Sequence, residues 1–89
     1  MEIRTTSKFR KDLKLAKKKG LNIALLQEVV DVLASGEKLS EKHRDHALTG
    51  DWESFRESHI QPDWLLIYKT SGDSLILTLV RTGTHSDLF

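Results

Sequence analysis

An α+β fold is the class predicted for this chain, and three observations predict it. Apolar residues recur at a period near 3.6 between residues 8 and 34, interrupted at Gly20. They recur at a period of two between residues 52 and 82, broken by Pro62-Asp63 and by Ser71-Gly72-Asp73. A short β-prone stretch, "EIRTT", precedes both regions. The resulting order is β-α-α-β-β-β: a four-stranded antiparallel or mixed sheet with two helices packed on one face. The 89 residues are expected to form one domain spanning 1–89. A chain of that size buries only about 60–65% of its unfolded surface, which leaves no room for a second core.

Ser7 follows the first strand and is placed to cap a helix running to about Lys18. Phe9, Leu13 and Ala16 fall on its buried stripe, and Lys11, Lys14 and Lys18 repeat at helical spacing on a solvent side. Gly20 supplies a stop. In "LNIALLQEVVDVLASG" the apolar arc is broad, with Leu21, Leu25, Val29 and Val32 beside Leu26, Val30 and Leu33, as expected of a helix lying on a sheet. Residues 37–51 are polar and read as a connecting loop with a helical turn near Glu41. Three antiparallel strands follow: Trp52–His59, Trp64–Thr70 and Leu75–Thr82. Pro62 has no amide donor and belongs to the turn. Alternation in the last strand places Leu75, Leu77 and Leu79 on the face of Arg81.

With 38% apolar and 30% charged residues, the composition is that of a globular chain and not of a disordered one. There is no cysteine, which excludes disulfides and thiolate metal sites and suits a reducing cytoplasm. The start "MEIRTTSKFRKD" has no apolar core of a signal peptide, and no stretch approaches the roughly 18 apolar residues of a membrane span. A net charge of +1 hides an asymmetry. Residues 1–19 hold eight Lys/Arg against two acids, whereas residues 20–63 hold four against nine. A local basic stripe is the footprint of a polyanion binder, with a merely solvated helix face as the plainer reading.

All four histidines lie after the helices. Superposing the strand ends gathers His46, His59 and His85 with Asp63 at one end of the sheet, with Arg81 just below on the last strand. Imidazole is the side chain whose ordinary pKa, about 6.5, suits proton transfer at neutral pH. RNA carries its own nucleophile, so cleavage needs a base for the 2′-hydroxyl, an acid for the 5′-oxygen and a cation for the phosphorane. The same residues are ordinary ligands for zinc or nickel, but "HRDH" and "HIQPD" match no specific ligand spacing, so no metal or other cofactor is expected. Trp52 and Tyr68 read as packing residues, while Trp64 and Phe89 are placed to stack on a base at the rim.

"DHALTGDWESFRESHIQPDWLLIYK" followed by "VRTGTHSDLF" resembles the YafQ branch of the RelE/ParE toxin superfamily. The motifs DH-x-L-x-G-x-W, H-x-x-PDW-x-LIYK and RTGTH-x-x-LF stand in order from Asp45 onward; before that, the strand–helix–helix pattern alone supports the likeness. The resemblance implies a RelE-like fold and a ribosome-dependent mRNA endonuclease that cuts message in the A site without a metal. It carries the functional positions onto His46, His59, Asp63 and His85, with Arg81 as phosphate-stabilising cation and Trp64 and Phe89 nearby; His43 matches none and is left as a surface residue. His85 is assigned as acid, and Asp63 with His46 or His59 as the base side. The resemblance also gives Lys11, Lys14, Lys17, Lys18 and Lys19 a use, gripping ribosomal RNA, and implies a cognate antitoxin as partner. The alternative on the same fold is a ParE-like inhibitor that binds DNA gyrase, for which the histidine–aspartate set would be superfluous.

Overall fold

A computed structural model describes residues 1–73 and 75–89. Its elements are β1 (Glu2–Thr5), α1 (Ser7–Lys18), α2 (Ile23–Ala34), β2 (His46–Ala47), β3 (Arg56–Gln61), β4 (Trp64–Ser71), β5 (Ile76–Gly83) and α3 (His85–Leu88). Single 3₁₀ turns occupy Glu41–His43 and Gly50–Trp52. The sheet has five strands in the order β1-β5-β4-β3-β2, one more than expected, because His46–Ala47 pairs with Arg56–Glu57 as a two-residue edge. β1 joins the other edge, parallel to β5, and the remaining pairs are antiparallel.

The cap of α1 is Thr6 and not Ser7. Its hydroxyl oxygen accepts the Phe9 N–H at 3.0 Å while its own proton goes to the Val80 carbonyl at 2.7 Å, so one side chain starts the helix and ties it to β5. Asn22 caps α2 in the same way. Trp52, expected to open a strand, stands in a 3₁₀ turn, and the strand proper begins at Arg56.

β4 is apolar on both faces, "WLLIY", and divides the interior into two cores. On the helix side Trp64, Leu66 and Tyr68 pack with Leu77, Leu79 and Ile60 beneath Phe9, Ala16, Leu26, Val29 and Val30. On the other side Leu65 and Ile67 meet Leu88, with Leu48, Trp52, Phe55 and Val80 around them. Truncating a fully buried leucine such as Leu66 to alanine costs about 2–5 kcal/mol. Among the described residues, Leu48, Trp52 and Phe55 of the 45–55 segment and Leu88 of α3 cover the second core.

A β-bulge breaks the alternation expected of the last strand. Tyr68 pairs with Leu79 but Ile67 pairs with Arg81, so Val80 is the extra residue. The side-chain pattern then shifts by one. Thr82, not Arg81, stands opposite Leu66, and its hydroxyl accepts the Trp64 indole N–H at 2.9 Å inside the helix-side core.

Candidate active site

Antiparallel pairing brings the predicted histidines and Asp63 to one end of the sheet, on the face away from α1 and α2. His46 lies directly opposite Glu57 on β3, and His59 follows Glu57 by two residues on the same face. His85 arrives on α3, a single turn held by a reciprocal cap: Thr84 accepts the Asp87 N–H and donates its own N–H to the Asp87 carboxylate, each at 3.1 Å. That carboxylate is held below the usual range, chiefly by the Thr84 backbone bond. Gly83 makes the turn possible, because it has φ +158° and a Cβ there would sit 3.2 Å from the Asp87 side chain. α3 was not expected from sequence, although Thr84-x-x-Asp87 is a capping signature.

The imidazoles form a row. Ring centroids are 6.4 Å apart from His46 to His59 and 5.9 Å from His59 to His85. Glu57 sits beneath them, only 4% exposed, with Oε1 at 3.1 Å from His59 Nε2 and 3.8 Å from His85 Nε2. His59 Nδ1 faces the Pro62 carbonyl at 3.3 Å, so each ring nitrogen has an oxygen neighbour. His85 Nδ1 is 3.9 Å from Asp63 Oδ1. The His85 ring thus has a carboxylate on each side and hydrogen-bonds to neither, which leaves both nitrogens available to a substrate. His46 Nδ1 donates to the Arg44 carbonyl at 2.7 Å, so in the neutral ring Nε2 carries the lone pair.

Glu57 escaped the sequence reading. The signal was present: in a period-two strand, Glu57 must share a face with His59, and a strand-interior acid needs a partner. His43, left as a surface residue, is half-buried and fastened to the His59 carbonyl through Nδ1 at 2.7 Å.

The remaining predicted residues divide. Phe89 is 57% exposed, with its ring centroid 6.2 Å from that of His85 and edge-on to Trp52 at 5.7 Å. Trp64 is a correction: at 2% exposure, with its N–H given to Thr82, it has no face to offer a base and belongs to the core. Arg81 pairs with Asp12 of α1, which raises its pKa through that hydrogen bond, and it forms no ion pair with the histidine cluster's carboxylates among the described residues. It shares with Asp63 a groove of about 480 Å³ between α1, the β3–β4 turn and the β5–α3 junction. Lys11, Lys14, Lys17, Lys18 and Lys19 are all exposed on or just beyond α1, Lys19 lying 3.6 Å from Asp87. Among the described residues, no group of three or more His, Asp or Glu is set to hold a metal ion, and no helix is long and apolar enough to cross a membrane.

The family model described as "Bacterial toxin of type II toxin-antitoxin system, YafQ" matches residues 1–89. The mRNA interferase toxin YafQ of Escherichia coli K12 is 36% identical over 89 residues, 99% of this chain and 95% of that protein. A metal-bound toxin from Helicobacter pylori superposes with TM-score 0.93 at 45% identity, over 100% of this chain and 99% of the other. YafQ in the Escherichia coli DinJ–YafQ toxin–antitoxin complex superposes with TM-score 0.89 at 36% identity, over 99% and 96% of the two chains.

Proposed function

Because this chain belongs to the YafQ family of type II toxin–antitoxin toxins, we propose that it is an mRNA interferase that cuts translated message in the ribosomal A site by metal-independent acid–base chemistry. The observation that carries this reading is the row of three imidazoles over a buried carboxylate, with Asp63 at its rim.

The base side removes the proton of the 2′-hydroxyl, the 2′-oxygen attacks the adjacent phosphorus, the P–O5′ bond breaks, and the acid protonates the departing 5′-oxygen. The products are a 2′,3′-cyclic phosphate and a 5′-hydroxyl. His46, with its Nε2 lone pair oriented by the Arg44 carbonyl, is suited to the base side together with Asp63 or His59. His85 is suited to be the acid, since neither of its nitrogens is committed to a hydrogen bond. Glu57 orients the imidazoles from below, and Arg81 meets the phosphate charge. Phe89 offers a base an aromatic edge of the site, worth about 1–3 kcal/mol where a base stacks.

The lysines of α1 supply the sequence-independent attraction to ribosomal RNA, and a cognate antitoxin, as in the DinJ–YafQ complex, is the protein partner. A gyrase-binding toxin on this fold would have no use for the imidazole row.

Induction in cells followed by mapping of 5′ ends on translated and untranslated copies of one transcript tests the proposal. In-frame cuts confined to the translated copy are expected. Cutting of both copies removes ribosome dependence, and cutting of neither removes the nuclease. The Helicobacter pylori relative was obtained metal-bound, so the purified reaction is run with excess chelator as a further arm. Undiminished cleavage is expected there, and arrest would make the metal part of the chemistry.

A further inference from the structure

Residues 8–19 hold seven lysines and arginines and a single acid, Asp12. A face built to grip a polyanion gains nothing from a carboxylate, and this one is turned inward. Its side chain is 15% exposed. Oδ2 accepts Arg81 Nε at 2.7 Å and the Thr82 amide at 3.2 Å, and Oδ1 accepts Arg81 Nη2 at 3.1 Å.

The path of the chain explains why this carboxylate is available to Arg81. β1 ends at Thr5, so beyond Leu79 the outer edge of β5 is no longer paired with it. Thr6 pins the start of α1 to the Val80 carbonyl, and Asp12, less than two turns along the helix, reaches the next exposed part of that edge. The bulge at Val80 shifts the alternation by one, so Arg81 stands opposite Ile67 and off the helix-side core that Thr82 enters.

Resting on the nuclease reading above, we propose that Asp12 is a positioning residue for Arg81, aiming its guanidinium at the scissile phosphate. Arginine has five N–H donors, and the side-on pair with Asp12 uses two of them, one on Nε and one on Nη2. Of the three that remain, the outward one on Nη1 and the second on Nη2 form the end-on fork that suits two phosphate oxygens. Arg81 lines the same groove as Asp63. An arginine without this clamp would give up its rotamer freedom at the moment of reaction; the clamp removes that loss beforehand. Anchoring of α1 does not require the pair, because Thr6 and the buried Phe9 and Ala16 already hold the helix to the sheet.

The test is single-turnover cleavage on programmed ribosomes by wild type, Asp12→Asn, Arg81→Ala and the double variant, with a thermal melt of each. Asp12→Asn is expected to lower the cleavage rate roughly 10- to 100-fold with half-saturation by ribosomes little changed, and the double variant to be no slower than Arg81→Ala. Full-rate cleavage by Asp12→Asn beside a slow Arg81→Ala overturns the proposal, as do losses that multiply in the double variant. Full-rate cleavage by Arg81→Ala instead overturns the assignment of Arg81 in the parent reading. If Asp12→Asn does not fold, Asp12→Glu takes its place, with a phosphorothioate at the scissile position. The wild type is expected to discriminate between the two diastereomers and the variant to discriminate less; equal discrimination overturns the proposal.

Discussion

Arg56 and Glu57 are neighbours on β3, stand on opposite faces of the sheet, and anchor two polar clusters that differ in tightness. On the helix side Asp45 takes Arg56 through Nε at 2.8 Å and Nη2 at 2.5 Å, and the Tyr68 hydroxyl donates to its other oxygen. The Asp45 hydrogen bond raises the Arg56 pKa, and burial together with Asp45 pushes the Tyr68 hydroxyl up. On the other side Glu57 makes one contact at 3.1 Å, and the remaining ion-pair approaches of that cluster are 3.8 and 3.9 Å. A closed network in which each oxygen of the carboxylate is matched holds a fold together. A network in which one imidazole, His85, stands just outside bonding distance of both its acids has capacity left for a ligand.

The largest effect expected from this contrast is at His85. Replacing it with alanine should slow cleavage on ribosomes by about 10²- to 10⁴-fold. The melting temperature should hardly move, since the ring is 56% exposed and carries no hydrogen bond of its own. Glu57→Gln should follow the same pattern at smaller size. A melting temperature that falls in proportion to the rate would make the imidazole row structural and erase the distinction between the clusters.

Tyr68→Phe should do the reverse. The lost hydrogen bond to a carboxylate is worth about 1.5–3 kcal/mol, and the melting temperature should fall accordingly while cleavage per folded molecule stays constant. A pH series sharpens the test. The folded pKa of Tyr68 is raised above the unfolded value near 10, so its contribution is complete below about pH 10 and is lost as pH rises through the folded value. Denaturant melts should show wild-type stability declining above pH 10 more steeply than that of Tyr68→Phe.

The same contrast explains what could be read from sequence. Strand and helix periods reveal elements, because burial of Phe9, Leu26 or Leu66 imposes them residue by residue, and antiparallel order then brings His46, His59, Asp63 and His85 to one end. Features that depend on exact register were not legible. The bulge at Val80 reverses which of Arg81 and Thr82 enters the helix-side core, and sets the Thr82 hydroxyl where the Trp64 indole donates to it. The fifth strand was missed because His46–Ala47 is too short to show a period, and α3 because four residues cannot show one either. Glu57 and Asp12 were passed over because each was read as one charge among many, when its meaning lay in the face it occupies.

The smallest expected effect concerns the turn that carries His85. Asp87 has a depressed folded pKa, so its contribution to α3 is present above the ordinary carboxylate value near 3.9 and is lost as pH falls through the folded value. The Thr84 backbone bond is the largest cause, ahead of the Thr84 side chain and of Lys19. Carboxyl NMR titration should therefore find the Asp87 midpoint below that of an ordinary aspartate. Thr84→Ala should bring it only partly back, since the backbone donor survives, and 1 M salt should move it less still, because Lys19 is the minor, exposed partner. An ordinary midpoint in the wild type would mean that the capping box does not hold α3. His85 would then owe its place near Asp63 to Leu88 packing alone, and the looser of the two clusters would be looser than the distances imply.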